Sequence, residues 1–486
     1  MTGSPRNIQA DVQVSVRWRR GRVALALALV SIPIAVAAFY VFSYAVDVPY
    51  YDQWEQVPYI EKYLTGQLSL SSLFARHEGH IAFLERLFTI VSVSLFHWSS
   101  LFEIWIGFAF LVATVVLISA DILAADDRQH LAVRLLQVSA VSAVLFSLRQ
   151  WENLLAPWAF GFFGSTLFVV TACYFAAKPG ARSFVLSLSA AALATVTFTN
   201  GLLVWVLVPA QRLLQRRSSP SGSPDLGTGN RWGLDGVWVA LGCAAWSAFL
   251  FAGKAPFAHS GQGTVASTVL KRFAAGLGLA LTHDKAVIAG GAFPMIILPI
   301  DITVCVAVGL LLVLLAGSSV YLLWRSGRIA SSAFAVSLTA FGAGSIAMVA
   351  AGRANLGVQQ ILSSRYASAS SLFVAGTFIL AERATRDRPV RSWVIPVLAT
   401  LIVVSNTIAT LTEMHVGPFR RDNFAGWATT IRAFRTATDE QLQNPHFPPG
   451  VIRAHCTVLE RHHLSVFSRP LPPKALAAEP PTPAPR

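Results

Sequence analysis

The densest group of chemically capable side chains lies between residues 47 and 86, directly after the first long apolar segment. It contains carboxylates, histidines, an arginine and aromatic rings: Asp47, Tyr51, Asp52, Trp54, Glu55, His77, Glu78, His80, Glu85 and Arg86. A carboxylate can act as the general base that removes a proton from an attacking hydroxyl group. Tyr51 and Trp54 flank Asp52 and can hold a sugar ring or fix the loop at a membrane surface. Asp52 is therefore the first candidate base, with Glu55 and Asp47 as alternatives.

Four further polar clusters interrupt the apolar runs, at residues 148–158, 197–201, 253–263 and 352–366. Arginine suits phosphate binding because its planar fork donates two parallel hydrogen bonds to phosphate oxygens. The preferred phosphate ligands are Arg353 and Arg365, the latter followed by Tyr366 as a further substrate-binding candidate. Additional binding candidates from these clusters are Arg149, Glu152, Lys254 and His259. Glu152 suits sugar hydroxyls, whereas its tryptophan neighbours equally suit an interface anchor, and Asn200 is interpreted as a structural helix cap.

The sequence His77-Glu78-Gly79-His80 can be interpreted as a metal site, because imidazole and carboxylate groups coordinate divalent ions. Its spacing differs from the helical His-Glu-x-x-His motif, and Gly79 disfavours a helix. We favour hydrogen bonding of these side chains to a substrate or to the Asp52 loop. No cofactor is predicted, and a divalent metal stays the alternative.

The composition predicts an all-α polytopic membrane protein. Of the 486 residues, 54% are hydrophobic and 13% are charged, whereas soluble domains carry about 25% charged residues. About 17–25 apolar residues span a bilayer as a helix, and such runs recur throughout the chain without the alternation of barrel strands. The four cysteines form no disulfide framework. The net charge of +14 is assigned to basic cytoplasmic loops and not to a nucleic-acid surface.

Alternate loops are basic, which under the positive-inside rule predicts a cytoplasmic N-terminus, residues 1–22, and a transmembrane domain, residues 23–413. This domain has about eleven spans, predicted at residues 23–46, 101–124, 134–148, 161–177, 183–199, 201–215, 234–252, 297–324, 329–351, 367–384 and 392–412. The first outer loop, residues 47–100, contains the segment 81–98. We interpret that segment as an interfacial helix, as we do residues 57–63 and 265–281; the alternative is that 81–98 crosses the membrane.

The C-terminal part is predicted to be a small outer region, residues 414–475, followed by a disordered proline-rich tail, residues 476–486. The outer region is expected to contain an amphipathic helix near residues 424–442. With this topology all five polar clusters lie on the outer side of the membrane. Ionisable groups at membrane level are costly and mark functional sites, so their convergence on one face favours a shared site.

The order and sidedness of these features resemble the GT-C glycosyltransferases. The resemblance rests on the segment Tyr50-Tyr51-Asp52-Gln53-Trp54, the histidine-rich segment at His77–His80, and Arg353 followed by Arg365-Tyr366. It implies a bacterial plasma-membrane enzyme that transfers a sugar from a polyprenyl phosphate, by inversion, on the extracytoplasmic face. The implied acceptor is a glycan, a lipid-linked glycan or an exported protein. Gln53 stands where many members have a second acid, which leaves the identity of the base open.

The sequence leaves two other function classes open. An O-antigen-polymerase-like enzyme also has about a dozen spans, but such proteins place their large outer loop late in the chain. A lipid or solute transporter predicts internal repeats and polar groups near the membrane midplane. No repeat is visible here, and the predicted spans are apolar in their middles, with Asp301 as an exception near a span end.

Overall fold

The computed structural model describes residues 28–77, 80–124, 131–216, 231–251, 266–283, 285–288, 295–298, 301–353, 358–444 and 447–468. These residues are mainly helical, which confirms the predicted all-α class. The described strands form two short antiparallel pairs, β1 (Arg76–His77) with β2 (His80–Ile81), and β3 (Lys285–Ile288) with β4 (Met295–Leu298).

The α-helices follow one another through the described parts of the chain. In order they are α1 (Ala28–Tyr44), α2 (Val57–Leu64), α3 (Leu70–Leu73), α4 (Phe83–Phe96), α5 (Ser100–Ala124), α6 (Leu131–Leu145), α7 (Trp151–Leu155), α8 (Ala159–Ala176), α9 (Ala181–Thr197), α10 (Val204–Arg216), α11 (Arg231–Phe251), α12 (Ala266–Gly278), α13 (Ile302–Arg325), α14 (Ala333–Gly352), α15 (Ala367–Thr385), α16 (Arg391–Arg432) and α17 (Pro449–Arg461). Short 3₁₀ helices at Tyr51–Gln56, Leu148–Gln150, Thr199–Leu203, Val358–Leu362 and Ser364–Tyr366 connect several of them.

Each of the eleven predicted spans coincides with one of these helices, namely α1, α5, α6, α8, α9, α10, α11, α13, α14, α15 and α16. By length and composition, four described helices can cross a membrane: Ser100–Ala124, Ile302–Arg325, Ala330–Gly352 and Trp393–Arg432. Four shorter apolar helices accompany them, at Ala28–Tyr44, Phe160–Ala176, Ala181–Thr197 and Asp235–Leu250. The chain is thus a helical membrane protein, and a total of eleven crossings stays a prediction.

The predicted interfacial segments also form helices. Residues 81–98 contain α4, whose 14 residues extend about 21 Å, less than the roughly 30 Å hydrocarbon core. Leu87 and Leu95 of α4 are exposed. Exposed leucines suit a position at the membrane surface. The predicted spans α6 and α10 have similar lengths, 15 and 13 residues, so the interfacial position of residues 81–98 stays a prediction.

Helix α16 differs from the prediction. We expected a span ending at residue 412 and a separate amphipathic helix near 424–442, but one helix of 42 residues continues through Pro418 to Arg432. Its length is about 63 Å, roughly twice the ~30 Å apolar thickness of a bilayer. Tertiary contacts support the polar half: Tyr44 Oη donates to the Met414 carbonyl at 3.3 Å, and Trp427 Nε1 donates to the Pro49 carbonyl at 3.2 Å.

Charged and polar residues at the predicted inner ends of the spans, and in the loops between them, meet at one end of the helices. Arg383 donates to Asp121 at 2.8 Å and Arg328 donates to Asp387 at 2.7 Å. The fully buried Glu382 accepts a hydrogen bond from Gln137 at 3.0 Å. These contacts connect α5, α6 and α15 at the end opposite to the first outer loop.

The predicted first outer loop and the C-terminal region pack together into one layer. The Ser465 amide donates to the His97 carbonyl at 2.7 Å, and Arg432 Nε donates to the Val466 carbonyl at 2.8 Å. Arg461 of α17 lies 3.7 Å from Glu61 of α2. The predicted C-terminal appendage is therefore attached to the loop that carries the candidate base.

Candidate functional site

A pocket of about 160 Å³ lies where the predicted outer clusters meet. Its lining comes from β2, α8, the 198–200 segment, the end of α14 and the start of α15, and includes His80, Asn200, Arg353, Arg365 and Tyr366. Residues from three clusters thus line one cavity, and the cluster at 148–158 contacts it through Arg365. The cluster at residues 253–263, which contains Lys254 and His259, lies outside the described residues.

Arg365 is the charged centre of this region. Its guanidinium group lies 5.2 Å from the ring centre of Trp158, its Nε donates to Ser363 Oγ at 3.0 Å, and Nε is 3.7 Å from Glu152 Oε1. Burial acts to lower the pKa of Arg365, but Glu152, Tyr366 and Asp52 raise it above its usual value. The terminal guanidinium nitrogens form no hydrogen bond with any residue that the structure describes, so the fork stays available to an anion in the pocket.

Glu152 is buried and positions the segment that carries Arg365. Its Oε2 accepts hydrogen bonds from Ser363 Oγ and Ser364 Oγ, both at 2.9 Å, and from the Arg365 amide at 3.3 Å. Asn153 Nδ2 donates to the Arg365 carbonyl at 2.9 Å. These hydrogen bonds give Glu152 Oε2 a structural role, and the contact of Glu152 with sugar hydroxyls stays a prediction.

Arg149 is also buried and makes a structural contact. It is 3% exposed, and its Nη2 donates to the Leu362 carbonyl at 3.0 Å. A buried donor to the 358–362 segment fixes that segment on the 3₁₀ helix Leu148–Gln150. Arg149 and Glu152 together therefore hold the chain that leads to Arg365.

The candidate base Asp52 lies at the start of the 3₁₀ helix Tyr51–Gln56. Tyr51 has a φ of 44°, a left-handed conformation that is strained for a bulky residue. Its ring stacks on Trp158 with 5.3 Å between centres, the same indole that supports Arg365. Asp52 is half-buried, and it acts on the pKa of Arg365, so the two charges are within electrostatic reach. Glu55 follows three residues later, about one 3₁₀ turn away.

Two other candidates in this loop have structural surroundings. Asp47 Oδ1 accepts from the Ser100 amide at 2.7 Å and Oδ2 from Ser99 Oγ at 3.0 Å, so its carboxylate caps the start of α5. Trp54 is completely buried, with its ring near Trp427 and His455. The structure therefore favours Asp52 or Glu55 over Asp47 as the base, and it places Trp54 in the core, away from any substrate surface.

The histidine-rich segment forms the β1–β2 hairpin, in which His77 pairs with His80. The His80 ring packs on Phe198 at 4.4 Å and lines the pocket. The side chain of His77 and all of Glu78 lie outside the described part of the structure. The described residues contain no group of three metal-ligating side chains, and the metal alternative, which depends on Glu78, stays untested.

Known proteins supply no function for this site. Comparisons with protein-family models, with curated proteins and with solved structures find no match. Function must therefore be argued from the side chains of the pocket and its surroundings.

A second cavity, of about 880 Å³, is an apolar groove between α13, α15 and α16. It follows α16 from Leu398 to Thr412, which corresponds to about 21 Å along the helix axis. Leu311 and Leu401 line it and are 67% and 54% exposed, so the groove opens sideways towards the membrane. The apolar runs of the sequence gave no signal for this groove, because its shape depends on how three distant helices are arranged.

A polar pair lies part-way along the groove. His283 Nε2 lies 2.9 Å from Ser405 Oγ, and both residues line the groove. Burial, with the positive charge of Arg149, lowers the pKa of His283 to about 4. The histidine is therefore neutral at physiological pH. The effect of Arg149 on its pKa shows that Arg149 lies near this part of the groove.

Several lining residues were not among the sequence candidates. Asn200, interpreted as a cap, accepts from Ser165 at 2.7 Å and donates to Ser345 at 3.2 Å, so it joins α8 to α14 and also borders the pocket. Phe162 and Phe198 add an aromatic surface. Phe198 and Asn200 lie in the 197–201 cluster, which is the one signal in the sequence that pointed to them.

Proposed function

We propose that this protein is a membrane glycosyltransferase that moves a sugar from a polyprenyl phosphate to an acceptor hydroxyl on the outer face. The proposal is supported by two arginines that line one pocket and by the nearby carboxylate of Asp52, which does not itself line the pocket. Arg353 and Arg365 line the cavity, and the charge of Asp52 acts on Arg365. Such a site combines a base for the acceptor with cations for an anionic leaving group.

In the proposed reaction, the acceptor hydroxyl oxygen forms a bond to the anomeric carbon while the bond from that carbon to the phosphate oxygen breaks. The hydroxyl proton goes to the carboxylate of Asp52. The electron pair of the broken bond goes to the phosphate, which leaves as polyprenyl phosphate. Arg365 stabilises the additional negative charge through its fork, so no protonation of the leaving group is required.

The apolar groove supports a lipid-linked donor. Its position along α13 and α16 and its sideways opening suit a long hydrocarbon chain that enters from the bilayer. The hydrophobic effect favours the transfer of a hydrocarbon chain out of water, whereas the chain of this donor already lies in lipid. The groove therefore aligns the donor more than it increases the affinity for it.

The transporter alternative receives less support. Transporters place substrate groups near the midplane, between broken helices. Here the polar pocket lies at the predicted outer ends of α8, α14 and α15. The hydrogen bonds of Arg383 and Gln137 lie at the other end of the helices, away from the pocket. No contact among the described residues specifically supports an O-antigen-polymerase-like activity.

The proposal is tested with purified protein in lipid nanodiscs and a set of synthetic polyprenyl-phosphate sugars. We expect donor binding to raise the melting temperature, and acceptor-dependent release of polyprenyl phosphate measured by mass spectrometry. The acceptor is identified by comparing surface glycans and exported proteins of cells with and without the gene. Natively folded protein that neither binds nor turns over any such donor would contradict the proposal.

A further inference from the structure

Trp158 contacts both segments that carry the proposed chemistry. Its indole stacks on the ring of Tyr51, with 5.3 Å between the ring centres and 29° between the planes. The guanidinium carbon of Arg365 lies 5.2 Å from the centre of the same indole, within the ~6 Å range of a cation–π contact. Because Asp52 directly follows Tyr51 in the chain, one side chain connects the candidate base with a candidate phosphate ligand.

The indole of Trp158 is buried in the protein. It is 7% exposed, and it does not line the pocket, whereas Arg365 does. A tryptophan that anchors a helix at the membrane surface places its ring among the lipid head groups. The burial of Trp158 therefore gives it a contact with the two site segments in place of the interface contact that the sequence equally suited.

The residues before Trp158 hold the backbone of Arg365. Asn153 Nδ2 donates to the Arg365 carbonyl at 2.9 Å, and Glu152 Oε2 accepts from the Arg365 amide at 3.3 Å. These hydrogen bonds fix the main chain at Arg365, whereas the indole contacts its guanidinium group. The direction of the guanidinium group can therefore change without loss of the backbone contacts.

The turn at Tyr51 depends on support from its surroundings. Its φ of 44° is strained for a bulky side chain, and such strain persists only where the neighbouring structure holds the residue. Besides the indole, Tyr50 contacts the Tyr51 ring edge-to-face at 4.1 Å between centres, and Tyr50 itself packs on Phe424 of α16 at 4.7 Å. Removal of the indole would weaken the hold on the turn that carries Asp52.

The two segments are also close in electrostatic terms, since the charges of Asp52 and Tyr51 act on the pKa of Arg365. We infer that Trp158 is a positioning residue that holds the Asp52 turn and the Arg365 guanidinium group in one fixed arrangement. A displacement of about 1 Å at a reacting group can cost about 100-fold in rate. The inference rests on the proposed glycosyl transfer and adds a residue that acts through Asp52 and Arg365.

The test measures sugar transfer and donor binding by full-length Trp158 variants in nanodiscs. We expect Trp158→Leu to lower kcat about 10- to 100-fold and to weaken donor binding about 3- to 10-fold. Trp158→Phe should restore most of both, because it keeps an aromatic face for the two contacts. Trp158→Met is prepared in parallel, since its flexible side chain fills irregular space, and it replaces Trp158→Leu if that variant does not fold.

Trp238→Leu is the matched control. Trp238 of α11 is also buried, and its ring contacts Trp205 at 5.0 Å and Phe184 at 6.5 Å between centres. It does not line the pocket. Trp238→Leu should therefore lower the melting temperature, as Trp158→Leu does, and leave kcat per folded molecule and donor affinity near the wild-type values.

A double-mutant cycle distinguishes positioning from a general loss of stability. If Trp158 directs the guanidinium group, Arg365→Ala should weaken donor binding at least about 3-fold less in the Trp158→Leu background than in the wild type. Asp52→Asn should likewise lower kcat about 10-fold less in that background. In the Trp238→Leu background both substitutions should have their full effects, because residues without shared contacts act independently.

The outcomes separate this inference from the proposed function. Independent effects of Trp158→Leu and the two site substitutions, or equal losses of kcat in Trp158→Leu and Trp238→Leu, would overturn the inference and leave glycosyl transfer standing. If wild-type protein with a native melting temperature neither binds nor turns over any polyprenyl-phosphate sugar, both the inference and the proposed function are wrong.

Discussion

Asp52 is the side chain on which the proposed chemistry depends most directly. Asp52→Asn keeps the shape of the side chain and removes the proton acceptor. General-base catalysis contributes about 10²- to 10⁴-fold, so we expect kcat to fall by that amount while the dissociation constant of the donor stays the same. The measurement is sugar transfer by the purified protein, together with donor binding.

Asp47→Asn is the matched control for Asp52. Asp47 caps α5 through the Ser100 amide, and an asparagine oxygen can still accept that hydrogen bond. The replacement should therefore lower stability by less than about 1 kcal/mol and leave kcat per folded molecule near the wild-type value. Glu55→Gln distinguishes the second candidate base. Normal kcat in Asp52→Asn, with a large loss in Glu55→Gln, would transfer the role to Glu55.

Arg365 should act on donor affinity. A hydrogen bond to a charged group contributes about 1.5–3 kcal/mol, so Arg365→Ala should weaken donor binding about 10- to 100-fold. Arg365→Lys should restore only part of this loss, because lysine lacks the planar fork. Arg212→Ala is the control, since Arg212 forms an ion pair with Asp235 at a predicted inner loop. Unchanged donor affinity in Arg365→Ala would exclude the phosphate-binding role.

His283 predicts a dependence of stability on pH. Its pKa is lowered from 6.5 to about 4 by burial and by the charge of Arg149, so between these values the unfolded chain binds a proton that the folded protein resists. The contribution of His283 to the free energy of unfolding is therefore complete above about pH 6.5 and is lost as the pH falls towards 4. At about 1.4 kcal/mol per pH unit, the full loss is about 3 kcal/mol.

The measurement for His283 is the melting temperature of the purified protein from pH 7.5 to 4.5. His283→Gln keeps a group that can hydrogen-bond Ser405 but does not titrate. Its melting curve should therefore be flatter below pH 6.5 than that of the wild type. Parallel curves for the two proteins would show that His283 does not titrate in this range.

Helix α16 holds the segment that contains the candidate base. At Gly417, a Cβ atom would lie 2.4 Å from the ring of Tyr44, and that ring is held by the hydrogen bond of Tyr44 to the Met414 carbonyl. We expect Gly417→Ala to lower the free energy of unfolding by about 1–3 kcal/mol through overpacking against α1.

Gly426→Ala is the same substitution in the same helix, at a position with open space around the added atom. It should leave stability unchanged or raise it by up to about 1 kcal/mol, because alanine favours the helix. The two melting temperatures are compared in one detergent. If both variants have the same stability, α1 and the outer half of α16 are not in close contact.

The predicted orientation of the whole molecule in the membrane can be tested at the two ends of the helix assembly. Ser326 lies near the charged contacts of Arg328 and Asp387, whereas Asn423 lies on the outer half of α16, and both residues are exposed. In a Cys243→Ser background, which removes an exposed thiol, we introduce Ser326→Cys or Asn423→Cys. A membrane-impermeant maleimide applied to intact cells should label only the cysteine at position 423.

Labelling of the cysteine at position 326 from outside, with none at 423, would reverse the orientation and place the pocket on the cytoplasmic side. Permeabilised cells are the control, since both cysteines should then react. Labelling at both positions in intact cells would show that the two ends are not separated by the membrane, and would contradict the predicted topology.

The positions of the helices were predictable from the sequence. All eleven predicted spans coincide with helices, and residues 57–63, 81–98 and 265–281 coincide with α2, α4 and α12. The physical reason is local: a run of apolar residues forms a helix in lipid because every backbone polar group is then satisfied within the segment. The same local logic failed for residues 413–432, where polar composition suggested a break and contacts with Tyr44 and Pro49 maintain the helix.

The roles of individual side chains depended on the tertiary structure. Residue type and spacing identified Asp52, His80, Arg353 and Arg365 as candidates, and the structure brings these four to one region. Type alone could not separate Asp52 from Asp47, which caps α5, or reveal that Trp54 is fully buried. Glu152 holds the Arg365 segment across 213 positions of sequence. Such contacts, like the groove between α13, α15 and α16, are decided by the packing of distant helices, and no local sequence pattern records that packing.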